Sequence, residues 1–303
     1  MGRGVVVLLG IEYLSVHFVG LNSPARSTAY LLDTASCGMN HALMKTKSGE
    51  VYVIGSNLCG QCGLSSVHKE VLAITKLAEN VKLVSAGSSF SFILFQDGRL
   101  TACGVNKYGQ LGICASDSVY GLTLVPGTPT NIQEISGGYS HTCILANGVV
   151  YGSGFNSHGQ LSFLDSAASG SGFVQAKFPR QVKSVACGVW NTAFLTIEGD
   201  LYICGKAPMY QEGPESVSYF IKEYQDSDNR ARNALTIGTM RKIETDNMPV
   251  IQIKLGSSTG IALGQDTRTI FIIDLVRLAL KDQIKHTTDI RQIAIGGNSW
   301  GFV

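Results

Sequence analysis

Residues 87–113 read GSSFSFILFQDGRLTACGVNKYGQLGI, and the same order of landmarks returns along the chain. GMNHALMKTKSGEVYVIGSNLCGQCGL (38–64) and GYSHTCILANGVVYGSGFNSHGQLSF (138–163) lie over it almost without gaps. A fourth stretch, GVWNTAFLTIEGDLYICGKAPMYQEG (188–213), keeps the first half while its second half decays. Three columns carry the register. The anchor glycines Gly38, Gly87, Gly138 and Gly188 are 49, 51 and 50 residues apart. The turn glycines Gly49, Gly98, Gly148 and Gly199 follow at 49, 50 and 51, and Gln61, Gln110, Gln160 and Gln211 share that spacing. A repeat changes the meaning of every short motif inside it, so it is read before any motif.

Ser-Gly, Asp-Gly, Asn-Gly and Glu-Gly at the second landmark separate an apolar run (FSFILF, HTCILA, TAFLTI) from a β-rich run (EVYVIG, RLTACG, VVYGSG, DLYICG). Asn-Gly and Asp-Gly are strong two-residue hairpin signals, because glycine accepts the positive φ of a type I′ turn. Each unit is therefore a hairpin with flanking strands. Residues 81–86, 132–136 and 182–187 supply a further short strand running into each anchor glycine, where close backbone approach excludes a Cβ.

Composition agrees with a turn-rich, well-packed chain: 303 residues with 35 Gly, 7 Pro, 15% charged and 45% hydrophobic residues. A net charge of +2 without a basic run lacks the phosphate-neutralising footprint of nucleic-acid binding. In MGRGVVVLLGIEY the apolar run ends at Glu12 with no cleavage pattern after it, which argues against a signal peptide, and Val6 stands where myristoylation wants Ser or Thr. No apolar run is long enough to span a bilayer. Eight cysteines in a chain too large to need staples read as reduced thiols, placing the protein inside the cell, in cytoplasm or nucleus.

Cys59 and Cys62 have the Cys-x-x-Cys spacing of redox and zinc motifs. The repeat explains them otherwise. Cys62 occupies the column of Leu111 and Leu161, a small buried hydrophobe, and Cys59 shares a variable turn column with Tyr108 and His158. No strand-to-helix context of a redox pair surrounds them. Cys37 and Cys187 likewise share the slot of Ala86, and Cys103 and Cys204 that of Ser153.

The pattern of anchor Gly, His-Thr or a substitute three residues on, x-Gly, then Val-Tyr-x-x-Gly-x-Asn-x-x-Gly-Gln-Leu-Gly resembles the repeat of the regulator of chromosome condensation family over residues 34 to 213. The resemblance implies an all-β propeller of four-stranded blades occupying residues 1–303 as one domain. Further anchors at Gly256 and Gly297 bring the count to six blades, with seven, common in the family, as the alternative. It also implies ring closure by N-terminal strands. EYLSVHFVGLNSPARS (12–27), with Gly20 and Asn22 matching Gly104 and Asn106, reads as the missing half of the last blade.

Residues 206–248 fall between the fourth and fifth anchors as an insertion. Within it Val217, Phe220, Ile221 and Tyr224 would form one apolar face of a short helix, which either packs on the propeller or docks a partner. Tyr210, Tyr219, Phe220 and Tyr224, with Arg230 and Arg232 in the polar stretch that follows, are the partner-binding candidates. His41 and His141 share a column with Phe90, Asn191, Thr259 and Trp300, which suits side chains bonding neighbouring backbone better than metal ligands. No nucleophile–base set, paired carboxylates or phosphate-cradling loop stands out, and no cofactor or metal is expected.

The leading functional expectation is a non-catalytic, monomeric scaffold for protein partners. The family resemblance adds a second: guanine-nucleotide exchange on a small Ran-like GTPase, which needs no acid–base group because it works by preferring the nucleotide-free state. It adds a third, pairing with a metal-carrying partner in tRNA modification or diphthamide synthesis.

Overall fold

The computed structural model describes residues 32–114, 117–161, 172–178, 180–205, 240–275, 277, 279–296 and 299–302, and every regular element among them is a β-strand. The first sheet joins β1 (Leu32–Cys37), β2 (His41–Thr46), β3 (Val51–Ser56) and β4 (Glu70–Ala78) in chain order. The second joins β5 (Val81–Ala86), β6 (Phe90–Phe95), β7 (Leu100–Val105) and β8 (Ser118–Leu124). The third is β9 (Ile132–Gly137), β10 (His141–Ala146), β11 (Val149–Gly154) and β12 (Val174–Gln175). The fourth is β13 (Val182–Cys187), β14 (Asn191–Thr196), β15 (Leu201–Gly205) and β16 (Arg241–Ile243). The fifth is β17 (Val250–Leu255), β18 (Thr259–Gly264), β19 (Thr269–Asp274) and β20 (Ala279–Lys285). Last, β21 (Ile293–Gly296) pairs with β22 (Ser299–Phe302).

Every pairing is antiparallel between neighbours in sequence, and the first strands pack on one another in succession: β1 on β5, β5 on β9, β9 on β13, β13 on β17 and β17 on β21. Sheets arrayed by their first strands are propeller blades. Among the described residues there are five four-stranded blades and one pair of strands that begins a sixth. The N-terminal strands expected to complete it, at 12–27, lie outside the described residues.

The apolar core sits between blades. Leu43 and Val53 of the first blade share a cluster with Val81 and Ile93 of the second, and Phe92 and Leu100 of the second share one with Ile135 and Ile144 of the third. The same sharing continues to the fifth and sixth blades, where Ile261 and Ile270 meet Ile293. Large and small residues share these clusters, Leu43 with Ala86 in one and Ala193 with Leu255 in another.

The hairpin turns come in two forms, one of which departs from the type I′ reading. Asn147 and Gly148 both have positive φ, 52° and 76°, and join Ala146 to Val149 as a two-residue turn. At Gly49, Gly98 and Gly199 only the glycine is left-handed, and the turn is one residue longer, with Thr46, Phe95 and Thr196 amides bonded to the carbonyls of Glu50, Arg99 and Asp200. The physical reason is the residue before glycine. Asn tolerates the left-handed region, whereas Ser48, Asp97 and Glu198 stay right-handed and leave that role to glycine alone.

The segment 206–248 is also shorter as an insertion than its sequence suggests, since Arg241–Ile243 pair with β15 as the outer strand of the fourth blade.

Candidate interaction face

The third strand of each of the first three blades runs into Asn-x-x-Gly-Gln, and two side-chain amides hold that loop closed. Asn57, Asn106 and Asn156 accept through Oδ1 from the amides of Cys62, Leu111 and Leu161 at 3.0, 3.0 and 2.7 Å. Gln61, Gln110 and Gln160 accept through Oε1 from the amides of Cys59, Tyr108 and His158 at 2.9, 3.0 and 3.0 Å. The glutamine column is thus the brace of a loop. Cys62 fills the same buried position as Leu111 and Leu161; its thiol donates to the Ser56 carbonyl at 3.2 Å, and burial pushes it up to about 12, where thiolate chemistry at neutral pH is suppressed. Cys59 is half-buried beside it, and among the described residues no group of three or more His, Cys, Asp or Glu side chains is placed to hold a metal ion.

Each glutamine's own carbonyl is bonded to the next blade. Ser91, Thr142 and Thr192 hydroxyls donate to the carbonyls of Gln61, Gln110 and Gln160 at 2.7, 2.8 and 2.7 Å. Two of those hydroxyls also meet an imidazole: His41 Nε2 lies 2.9 Å from Ser91 Oγ, and His141 Nε2 3.0 Å from Thr192 Oγ1. A hydroxyl has one proton, and here it goes to the carbonyl, so Nε2 is the donor and Nδ1 a bare acceptor. Both Nδ1 atoms are buried without a hydrogen-bond partner. Besides the backbone of Phe90, which acts on His41, the structure gives each ring a hydroxyl on the neighbouring blade.

Two predictions follow from this relay. Thr192→Val strands the His141 donor and leaves the Gln160 carbonyl only the weak Cys204 thiol donor at 3.4 Å, so it should lower unfolding free energy by about 1–3 kcal/mol in urea melts. Thr142→Val strands only a carbonyl, because Phe90 stands in the histidine column, and should cost less. Burial also lowers the His41 pKa from 6.5 to about 4. The unfolded chain therefore binds a proton in that window that the folded chain refuses, and stability rises with pH through it. Acidification across the window should cost the wild type roughly 3 kcal/mol from this residue alone, and His41→Phe should flatten that part of the pH profile.

The anchor loops lie on the same face as the Asn–Gln loops, since the amide of Ser56, at the end of β3, bonds the carbonyl of Asn40 beside the first anchor at 2.7 Å. Anchor loops are chained to one another as well, with Met39 N bonded to Ser88 O at 2.8 Å and Ser88 N to Gly138 O at 2.9 Å. None of residues 38–40, 87–89, 138–140, 188–190 or 256–258 is charged. Side chains from both kinds of loop form an aromatic cluster across three blades. Tyr108 packs on Phe155 at 4.7 Å between ring centroids, Phe155 on His158 at 5.5 Å, His158 on Trp190 at 4.9 Å and Trp190 on Tyr139 at 5.2 Å. Tyr108 and Tyr139 are 42% and 40% exposed, so the cluster is open to solvent at both ends.

The hairpin-turn face differs. It carries local ion pairs, Lys76 with Glu50, Arg99 with Asp97, Lys242 with Asp200 and Arg268 with Asp289, at 2.6, 2.7, 2.9 and 2.8 Å.

The sequence candidates Tyr210, Tyr219, Phe220, Tyr224, Arg230 and Arg232 lie outside the described residues. Gly205, the last described residue before that segment, abuts the main chain of Trp190. The sequence reading missed Tyr139, Phe155 and Trp190. Their signal was the recurrence of aromatic residues one or two positions after an anchor or beside an Asn–Gln loop, in columns that vary between repeats.

The class of protein is thereby defined: a repeat β-propeller with braced loops on one face and a solvent-open aromatic cluster upon it. Comparison with known proteins agrees. The model of the regulator of chromosome condensation (RCC1) repeat matches residues 34–61, 81–110 and 132–160, and a second model of that repeat matches 97–145. The chain thus carries repeats of the regulator of chromosome condensation type. It is 33% identical over 235 residues to the human X-linked retinitis pigmentosa GTPase regulator, covering 56% of this chain and 22% of that protein. It is 30% identical over 183 residues to the mouse regulator of chromosome condensation, covering 58% of this chain and 43% of that protein. The chain thus spans less than half the length of these curated relatives. Its fold is similar to that of human WBSCR16, with a TM-score of 0.69 at 20% identity over 90% of this chain and 71% of that one. It is also similar to Prp20p from Saccharomyces cerevisiae, with a TM-score of 0.62 at 18% identity over 86% of this chain and 65% of that one.

Proposed function

We propose that the protein is a non-catalytic scaffold that binds protein partners through its loop face, inside the cell and as a monomer. The aromatic cluster from Tyr108 to Tyr139 carries this reading: large, rigid rings held by braced loops and bordered by an uncharged anchor ring are the composition of a binding hot spot. Among the described residues, the hairpin-turn face carries ion pairs where the loop face carries this cluster. None of the eight cysteines is in a disulfide, which suits a reducing compartment.

A second reading, nucleotide exchange on a small GTPase, is favoured by the names of relatives, one a GTPase regulator and another a protein described with its binding properties to Gsp1p. It calls for the same face and no catalytic side chain. Affinity capture with wild-type and Trp190→Ala baits tests the scaffold, with partner recovery lost in the variant. Release of a fluorescent guanine nucleotide from a panel of small GTPases separates the readings: the scaffold reading predicts no acceleration, and acceleration by catalytic amounts of the protein would establish exchange instead.

A further inference from the structure

The outer strand of the first blade is unlike those of the others. At nine residues β4 is the longest strand among the described residues, and none of them pairs with its outer edge. An open edge invites pairing, and proteins blunt it by shortening the strand, charging it or breaking it. The other blades do so: β12 and β16 have two and three residues, β8 carries Gly121 at a φ of +78°, and β20 sets Lys281, Asp282 and Lys285 in its seven residues. On β4 the row that faces away from the core is Glu70, Leu72, Ile74 and Lys76, with Leu72 82% and Ile74 55% exposed. Val71 is buried and Leu77 packs on the cluster shared by the first two blades, which turns the odd-numbered residues inward. A bulge adds to the exposure. Thr75 pairs with Val53 and Val71 with Gly55, so Leu72, Ala73 and Ile74 stand opposite Ile54 alone.

This row is its own complement. Laid antiparallel on a second copy about a two-fold axis at Ala73, Leu72 meets Ile74 and Glu70 meets Lys76, each pair occurring twice. Apolar side chains then fill the centre and opposite charges flank it. Glu70 has no charge partner of its own among the described residues. The Lys76 ammonium donates to Glu50 and Glu79 at 2.6 and 3.2 Å, and its third N–H is left for the carboxylate of the second copy. We propose that a second copy of this chain docks along β4 in this register, pairing two propellers through the rims of their first blades. One short strand from each side lies at the weak end of protein interfaces, and the bulge shortens the contact further, so the chain is a monomer when dilute and pairs as its concentration rises.

The direction of β4 sets the shape of the pair. The strand starts at the loop face, with Glu70 opposite Ser56, and ends near the hairpin turn, with Ala78 opposite Val51. Antiparallel docking therefore points the two loop faces in opposite directions. A paired scaffold would link two partner molecules rather than grip one. That consequence rests on the scaffold reading; the pairing does not, because no residue of the aromatic cluster lies on β4.

Sedimentation equilibrium of the purified chain from submicromolar to submillimolar concentration tests the pairing. The wild type should pass from monomer to dimer mass. Leu72→Asp, at a site too exposed to disturb the core, should melt as the wild type does and weaken pairing by about tenfold or more, since the two-fold axis places the change in the contact twice. Glu70→Lys and Lys76→Glu should each fail to pair alone and pair when mixed, because one then offers two bases and the other two acids. Trp190→Ala should pair as the wild type does, and Leu72→Asp at submicromolar concentration should capture partners as the wild type does, so pairing and partner binding are read separately. A wild type that stays monomeric throughout overturns the proposal and leaves the row to a strand of another protein. Self-association that survives Leu72→Asp, or that disappears in Trp190→Ala, overturns it as well by placing the contact elsewhere.

Discussion

Gly138→Ala should cost the protein about 4 kcal/mol or more, enough to leave little folded material in a domain of ordinary stability. A Cβ at this anchor would sit 2.4 Å from His141 Cε1 and 2.5 Å from the Gly188 carbonyl oxygen, both far inside van der Waals contact. The imidazole is held by Thr192 and the carbonyl is main chain of the next blade, so neither yields without moving one blade against another. Overpacking against backbone is the expensive kind. Gly38 repeats the geometry, at 2.3 Å from His41 Cε1 and 2.4 Å from Gly87 O, and should respond alike. Gly98→Ala is the contrast: nothing lies within 4 Å of its added Cβ, and only its φ of +88° is unfavourable. That should cost about 1–2 kcal/mol. Urea or thermal melts of the variants check the difference, and equal losses at Gly138 and Gly98 would show that the anchors do not hold blades together.

Trp190→Ala is expected to weaken partner binding by at least 30-fold, about 2 kcal/mol, with little change in melting temperature. Trp190 is the junction of the cluster, in contact with Tyr139, His158 and Phe155 at 5.2, 4.9 and 5.9 Å, and its removal both deletes a ring and loosens three others. It stands in a loop rather than in the core between blades, so the fold should survive. Glu198→Gln, in a turn on the opposite face, should bind as the wild type does. Titration of a captured partner against the three proteins by calorimetry measures both effects. An unchanged dissociation constant for Trp190→Ala would remove the cluster from the interface.

The fold was legible because the columns that carry the period are those the structure uses between blades and within loops. Anchor glycines recur where two main chains meet, and glutamines recur where a loop must be braced, so physical necessity left them in register. The 10-residue spacing from Gly138 to Gly148, against 11 from Gly38 to Gly49, even marks the two-residue turn at Asn147–Gly148. The interaction face was less legible for the converse reason. Tyr108, Tyr139, Phe155 and Trp190 occupy loop positions that no packing constraint repeats, and rings that touch across three blades are dozens of residues apart in the chain. The shared cluster of Cys143 and Cys187 was hidden differently: Cys187 reads as a small residue exchanged within its own column, and only the packing of β10 on β13 brings it together with Cys143. For segment 206–248 the decayed fourth repeat concealed β16, because Arg241–Ile243 is too short to show a strand pattern by itself.

Amide hydrogen exchange of the protein, alone and saturated with a purified partner, tests the central claim most directly. The account predicts new protection at residues 138–140, 155–159 and 188–190, with the turns at 96–99 and 197–200 unchanged. Protection confined to those turns, with the loop face exchanging as in the free protein, would contradict it.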